Sequence, residues 1–288
     1  MRCDLHVHTI HSGMCTVPLM NRICRECYTE PEALYETLKV RGMGLVTVTD
    51  HDSIDAIEAL RSRPDFFLSE EVTCWTPSGT ELHMGVYGIR EADHGELQSR
   101  RTDLPRLIAY LNERNLFCSV NHVFSSLTGP RADADFTFFE RHVHGIETLN
   151  GQITAGANRS AAVLAARWGK AIVAGSDAHT KAKLGRTYTE VPDARDAAEF
   201  LEGLRRGYGR AYGESGDYWK LTRAVLEIGC CLVREKSWTA LLAPLLLAAP
   251  LVTLGNLIRE LTFNHKWSRR LALSDPARLP ADCVTESV

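Results

Sequence analysis

Up to Gly213, short apolar runs rich in β-branched residues alternate with segments of helical period. That alternation constrains the chain more than any other feature, because strands joined by helical crossovers pair in parallel and are covered by those helices. Seven runs read as strands: 2–7, 45–50, 66–72, 82–89, 117–122, 145–150 and 171–177. Helices are expected over 31–42, 53–61, 102–115, 157–169 and 193–207, with Pro31 in a first turn, Ser53 as a cap, and Gly169 and Gly207 as stop signals. Only TPSG (76–79) separates the third run from the fourth, too little for a helix, so these two should form an antiparallel hairpin. The fold class expected is α/β, a closed or nearly closed barrel of seven strands.

The histidines sort themselves on this strand map. His6, His8, His51, His122 and His179 fall at or just past the ends of strands one, two, five and seven, and His83 begins the hairpin's second strand. Asp4, Asp50, Asp52, Glu71, Glu147 and Asp177 accompany them. The C-terminal ends of parallel barrel strands are where such folds build active sites. One histidine alone is best read as a hydrogen-bonded core or surface residue. H-x-H, T-D-H-D and S-D-A-H on one rim instead point to metal coordination, which uses converging neutral imidazoles and carboxylates. A nitrogen and oxygen set without thiolates suits Zn²⁺, Mn²⁺ or Fe²⁺, and the number of donors exceeds one coordination sphere, implying at least two ions.

Composition excludes several alternatives. A formal net charge of -3 gives no basic field for a stable nucleic-acid partner, so an anionic substrate must meet local arginines. Nine cysteines, with Cys230 and Cys231 adjacent, suit a reducing compartment, and the one C-x-x-C (Cys24, Cys27) lacks the second pair of a structural zinc site. The sequence does not open on a secretory signal, and a cytoplasmic location is expected. No G-x-S-x-G elbow or Walker loop is present.

With DLHVHT (4–9), TDHDS (49–53), SEEVT (69–73), ELHMGVYGI (81–89), NH (121–122) and GSDAHT (175–180) in this order, the chain resembles the PHP family over about residues 1–215. That family, named for polymerase and histidinol phosphatase domains, comprises metal-dependent phosphoesterases on a distorted (β/α)7 barrel. The resemblance implies that His6, His8, Glu71 and Asp177 ligate one ion, and that Glu71 bridges to a second ion held by His83 and His122. It places His51 and His179 at a further or partly shared position, for two or three divalent ions (Mn, Zn or Fe) in all. Glu71 is preferred to Glu70 because the family's E-[VI]-[ST] pattern is matched by EVT (71–73). The family often carries an acid or histidine just after its first motif. Here HSGMC (11–15) puts Gly13 there, leaving His11 or Cys15 as substitutes.

The expected chemistry is hydrolysis of a small phosphorylated substrate, a phosphomonoester or nucleotide-type ester, by water activated between ions. Glu71 and Asp177 would organise the ions, and His179 or His51 could donate a proton to the leaving group. Arg131, Arg159 and Arg186 are the candidate phosphate contacts. Competing expectations are an exonuclease or oligonucleotide phosphodiesterase and a non-catalytic, metal-stabilised binding module. Beyond the 1–215 domain, 216–273 reads as a helical extension and 274–288 as a loosely ordered tail. Within the extension, 239–258 runs twenty residues without a charge, as a membrane-associated segment or as a helical hairpin under the barrel.

Overall fold

The structure is a computed structural model that describes residues 1–17, 20–273 and 285–286; the expected loose tail therefore lies almost wholly outside the described residues. Five strands form the main sheet: β2 (Ser69–Trp75), β3 (Glu81–Tyr87), β4 (Phe117–Val120), β5 (Gly145–Asn150) and β6 (Ala171–Gly175), paired in that order. β2–β3 and β3–β4 pair antiparallel, whereas β4–β5 and β5–β6 pair parallel. The hairpin is thus where TPSG predicts it, closed by Thr76 N–H donating to the Thr80 carbonyl at 2.9 Å.

The first two expected strands are not regular ladders. Only β1 (Arg2–Cys3) is a strand, and it joins β7 (Thr187–Glu190), which in turn pairs with β8 (Arg210–Gly213) in a second sheet. The backbone of Thr285–Glu286 runs parallel to β8. Residues 4–8 and 45–51 are extended but held by isolated bonds. Leu5 N–H donates to the Ala174 carbonyl and Thr49 N–H to that of Val7, while Glu71 N–H reaches Asp50. Single parallel bridges, Val7 with Ala178, Val46 with Phe66 and His51 with Glu71, complete these contacts. Side chains replace some ladder bonds, as where Val7 N–H donates to Thr49 Oγ1 at 3.0 Å, and this interrupts strand periodicity. The first segment also lies unusually close to β6: a Cβ on Gly175 would fall 2.3 Å from His6 Cβ, so only glycine fits.

Helices α1 (Pro31–Val40) and α2 (Ile57–Leu60) cover residues 4–8 and 45–50 through Leu34, Leu38, Leu60, Val7, Val46 and Val48. α3 (Glu91–Arg100) and α5 (Asp133–His142) are not among the expected helices, whereas α4 (Leu104–Glu113) and α7 (Ala197–Arg205) lie within expected spans and α6 (Ala155–Trp168) begins two residues before its own. α6 ends at Gly169 with φ of 61°, the left-handed stop its glycine predicts. The extension comprises α8 (Tyr218–Glu235), a 3₁₀ helix (Ser237–Ala248) and α9 (Ala249–Arg270). It is not separate from the body: Trp267 and Leu273 are buried in the largest core cluster, and the Phe136 ring lies 4.9 Å from that of Trp267, tilted by 40°. Residues 237–270 are nonetheless long and apolar enough to cross a membrane, with an 18-residue stretch of mean hydropathy 2.0.

Candidate metal centre

The eight predicted ligand residues meet at one end of the main sheet. His6, His8, His122, Glu71 and Asp177 are buried, and His51, His83 and His179 close the outer side. Four overlapping trios have donor atoms within 4.8 Å of one another: His8, His51 and His179; His6, His8 and Asp177; His6, Glu71 and His122; His51, Glu71 and His83. His6, His8, His51 and Glu71 each belong to two of these. His83 therefore groups with His51 and Glu71 and shares no trio with His122, a different arrangement from the one the resemblance implies.

Glu71 is central because its two oxygens face different imidazoles. Oε2 stands 3.1 Å from His6, 3.4 Å from His8 and 3.3 Å from His51, whereas Oε1 stands 3.5 Å from His83 and 3.4 Å from His122. Burial alone would raise its pKa, but facing His6, His51 and His83 outweighs burial and holds the carboxyl well below its usual range. Glu70 points the other way on β2, accepting from His94 at 2.9 Å, as strand alternation requires.

Supporting groups fix which nitrogen each imidazole presents. His6 Nδ1 meets Glu147 at 2.8 Å, leaving Nε2 toward Glu71. His8 Nδ1 donates to Ser12 Oγ at 2.9 Å, and that hydroxyl donates to Asp50 at 2.6 Å. His179 Nδ1 donates to the Asp177 carbonyl at 3.0 Å. Outer partners of this kind orient metal-ligating histidines and raise their basicity. Asn121 and Asn150 donate to Glu71 (2.8 Å) and Asp177 (3.1 Å). Asp52, His122 and Asp177 adopt φ of 51°, 32° and 50°, a costly backbone region for residues with a Cβ, held here by the surrounding bonds.

The sequence reading missed Glu26. It reaches in from the loop that carries Cys24 and Cys27, with Oε1 3.3 Å from His179 and Oε2 3.6 Å from His51. Burial opposes its ionisation, yet His179 and His51 bring its pKa down to about 2. Neither His11 nor Cys15 joins the four trios. The predicted arginines are less united. Arg131 is buried and already donates to the Glu81 carbonyl (2.7 Å) and Thr128 (2.6 Å); Arg159 is exposed on α6 and makes none of the contacts that hold the cluster. Arg186 pairs with Glu214 at 3.4 Å and lines a surface cleft with Lys183 and Lys220.

The donor set fits a cation cluster. His8 Nε2, His83 Nδ1, His122 Nδ1 and His179 Nε2 are buried without a hydrogen-bond partner, a placement that costs free energy unless a Lewis acid takes the lone pairs.

Residues 155–208 match the PHP-associated family model, and no curated protein is significantly similar in sequence. The fold is similar to a two-domain protein from Bacteroides vulgatus containing a predicted PHP-like metal-dependent phosphoesterase. The TM-score is 0.56 at 14% identity, over 79% of this chain and 69% of that one. It is also similar to PsfC from Pseudomonas syringae (TM-score 0.55, 19% identity, 81% and 97% covered). A lesion-specific endonuclease from Pyrococcus furiosus follows, at TM-score 0.50 and 17% identity, with 74% and 59% covered. The resemblance to the PHP family read from the sequence holds in the fold.

Proposed function

We propose that this chain is a metal-dependent hydrolase of small phosphoesters, built on a distorted seven-stranded barrel in which residues 4–8 and 45–51 close the circuit between β6 and β2. The observation that carries this reading is Glu71, buried and aimed with one oxygen at His6, His8 and His51 and with the other at His83 and His122. A carboxylate so placed can bridge two ions.

His6, His8, Glu71 and Asp177 would hold the first ion, and Glu71, His83 and His122 the second. His51, His179 and Glu26 would hold a third, Glu26 replacing the acid absent at Gly13. Bound there, ions would lower the pKa of water toward neutrality and would neutralise charge on the phosphoryl oxygens. Glu147, Ser12 and Asp50 keep His6 and His8 in the tautomers that leave their inner nitrogens free. Asn121 and Asn150 hold the carboxylates against rotation. Where no third ion is bound, His51 or His179 would instead deliver a proton to the leaving alkoxide. Arg186 and its neighbouring lysines offer the cationic approach.

Turnover of p-nitrophenyl phosphate by protein loaded with Mn²⁺, Zn²⁺ or Fe²⁺, abolished by chelation and restored by the ion, tests the reading. A second reading, an oligonucleotide phosphodiesterase, is prompted by the endonuclease among the similar folds; preference for bis-p-nitrophenyl phosphate would favour it. A purely structural metal module is disfavoured by the retention of all eight donors.

A further inference from the structure

The C-terminal hairpin is folded inside out. α8 and the 3₁₀–α9 run lie antiparallel: Tyr218 Oη donates to the Pro250 carbonyl, and Leu246 packs over Gly229. Apart from Leu246 and the buried Leu232, the buried residues of the pair are small or hydroxylated. Thr222 and Thr253 share a buried hydrogen bond of 2.7 Å, and Ala224, Thr239 and Ala249 are buried as well. Many of the large apolar side chains face outward instead: Leu241 is 84% exposed, Leu247 83%, Leu251 73%, and Val252, Leu245 and Ile258 more than half. Water-facing helices show the reverse pattern, polar out and leucine in. Hydroxyl and small residues at the helix contact, with leucines outside, is the arrangement lipid favours.

The run has no polar side to turn to water, since 237–258 contains no charged residue. Exposed cations border it at Arg223, Arg234 and Arg259, and Trp238, 55% exposed, stands at its start. Aromatic and cationic flanks of this kind sit at the headgroup level of bilayers. A protein partner would need one apolar stripe; a layer apolar on every open side matches a bilayer.

The hairpin cannot stand upright through a membrane. Both ends of α8 are tied to the body, by Lys220 donating to the Ser215 carbonyl and Lys236 to that of Ile23, with Arg25 paired to Glu235. α9 re-enters the body at Glu260, which accepts from Ser126 N–H at 3.0 Å, and at Trp267. The apolar run is thus tied to the body at both of its ends, at Lys236 and at Glu260, so it leaves and returns on the same side of a bilayer. The segment therefore lies in one leaflet, parallel to the surface.

Under α8 a cleft of about 630 Å³ begins at His179 and runs past Lys181, Arg223 and Leu226 to Cys230. A second, about 680 Å³, shares Ala182, Arg223 and Leu226 with it and reaches Pro250 at the apolar run. His179 of the metal centre and Pro250 of the lipid-facing layer thus open onto adjoining clefts that share a wall and carry Lys181, Lys183, Arg186 and Lys220.

We infer that residues 237–258 seat the protein on one leaflet of a bilayer, and that its substrate is a phosphate ester borne by a membrane amphiphile entering these clefts. The substrate part rests on the proposed phosphoesterase activity; the seating does not.

The test uses full-length, metal-loaded protein and vesicles of phosphatidylcholine with phosphatidylglycerol, alongside the Leu241→Asp/Leu247→Asp/Leu251→Asp variant. Wild type should float with vesicles and the variant should not, at unchanged melting temperature and unchanged p-nitrophenyl phosphate turnover. Wild type left in the aqueous fraction, a variant that floats equally, or a wild-type dimer dissolved by the substitutions would overturn the seating. Phosphatidic acid in vesicles should give kcat/KM at least about tenfold above glycerol 3-phosphate, and the variant should lose that advantage. Equal turnover of both esters would overturn the substrate class. Flotation without any phosphoesterase turnover would remove the enzymatic reading and leave the seating intact.

Discussion

Glu26 Oε1 stands 3.3 Å from His179 Nε2, so a carboxylate from the cysteine-containing loop occupies the flank of the cluster where Gly13 brings no donor. Glu26→Gln keeps the volume and removes the charge. It should weaken binding of one ion by at least about tenfold while the others remain, read by elemental analysis after gel filtration. Unchanged stoichiometry and affinity would take Glu26 out of the cluster.

Glu71→Gln should lower turnover by at least about a hundredfold, comparable to losing one preorganised electrostatic element, and weaken the second ion more than the first. Glu70→Gln is the control. Its carboxylate meets His94 and Gln98 rather than the cluster, so the ions and most of the activity should remain, with a stability loss of about 1–3 kcal/mol. The reverse result would mean that β2 is out of register by one residue.

Arg131→Ala should act on folding and not on substrate. Removing a buried guanidinium that serves the Glu81 carbonyl and Thr128 leaves acceptors unpaired, at about 1–3 kcal/mol in chemical denaturation, with KM unaltered. A raised KM at unchanged stability would restore it as a phosphate contact.

Ending the chain at Gly213 should yield insoluble protein, because Trp267, Leu273 and Phe263 cover the core beside Phe136. Trp267→Ala in the full chain should alone cost about 3–5 kcal/mol. A soluble, cooperatively melting 1–213 fragment would show that the body is complete without α8 and α9.

Much of this molecule was legible in the sequence because its motifs coincide with strand ends. H-x-H puts His6 and His8 on one face of an extended segment, and EVT selects Glu71 over Glu70, whose side chain turns away to His94. The irregularity of 4–8 and 45–51 was not legible, because it comes from side chains such as Thr49 replacing ladder bonds. α3 buries only Asp93 and Leu97 and so shows no apolar stripe, and β7 and β8 are too short to display alternation. Glu26 gave no signal: it lies in a loop without periodicity, and only the fold brings it to His51 and His179. The extension's length and apolarity were readable, but Trp267 returning to the core depends on a surface made by α5 and α6.

Gly175 gives way to the backbone of His6, and Ser176 N–H donates to Asp4 across 172 residues of chain. Two donors from the opening segment thus meet two from the GSDAHT segment only after nearly everything between them is in place. Joining parts so distant in sequence is slow, since the entropy of closing the loop must be met before the contact rewards it. The capacity to capture ions should therefore be among the last properties a newly made chain acquires. During refolding, metal uptake should lag behind formation of the β2–β5 sheet, whose strands are neighbours in sequence.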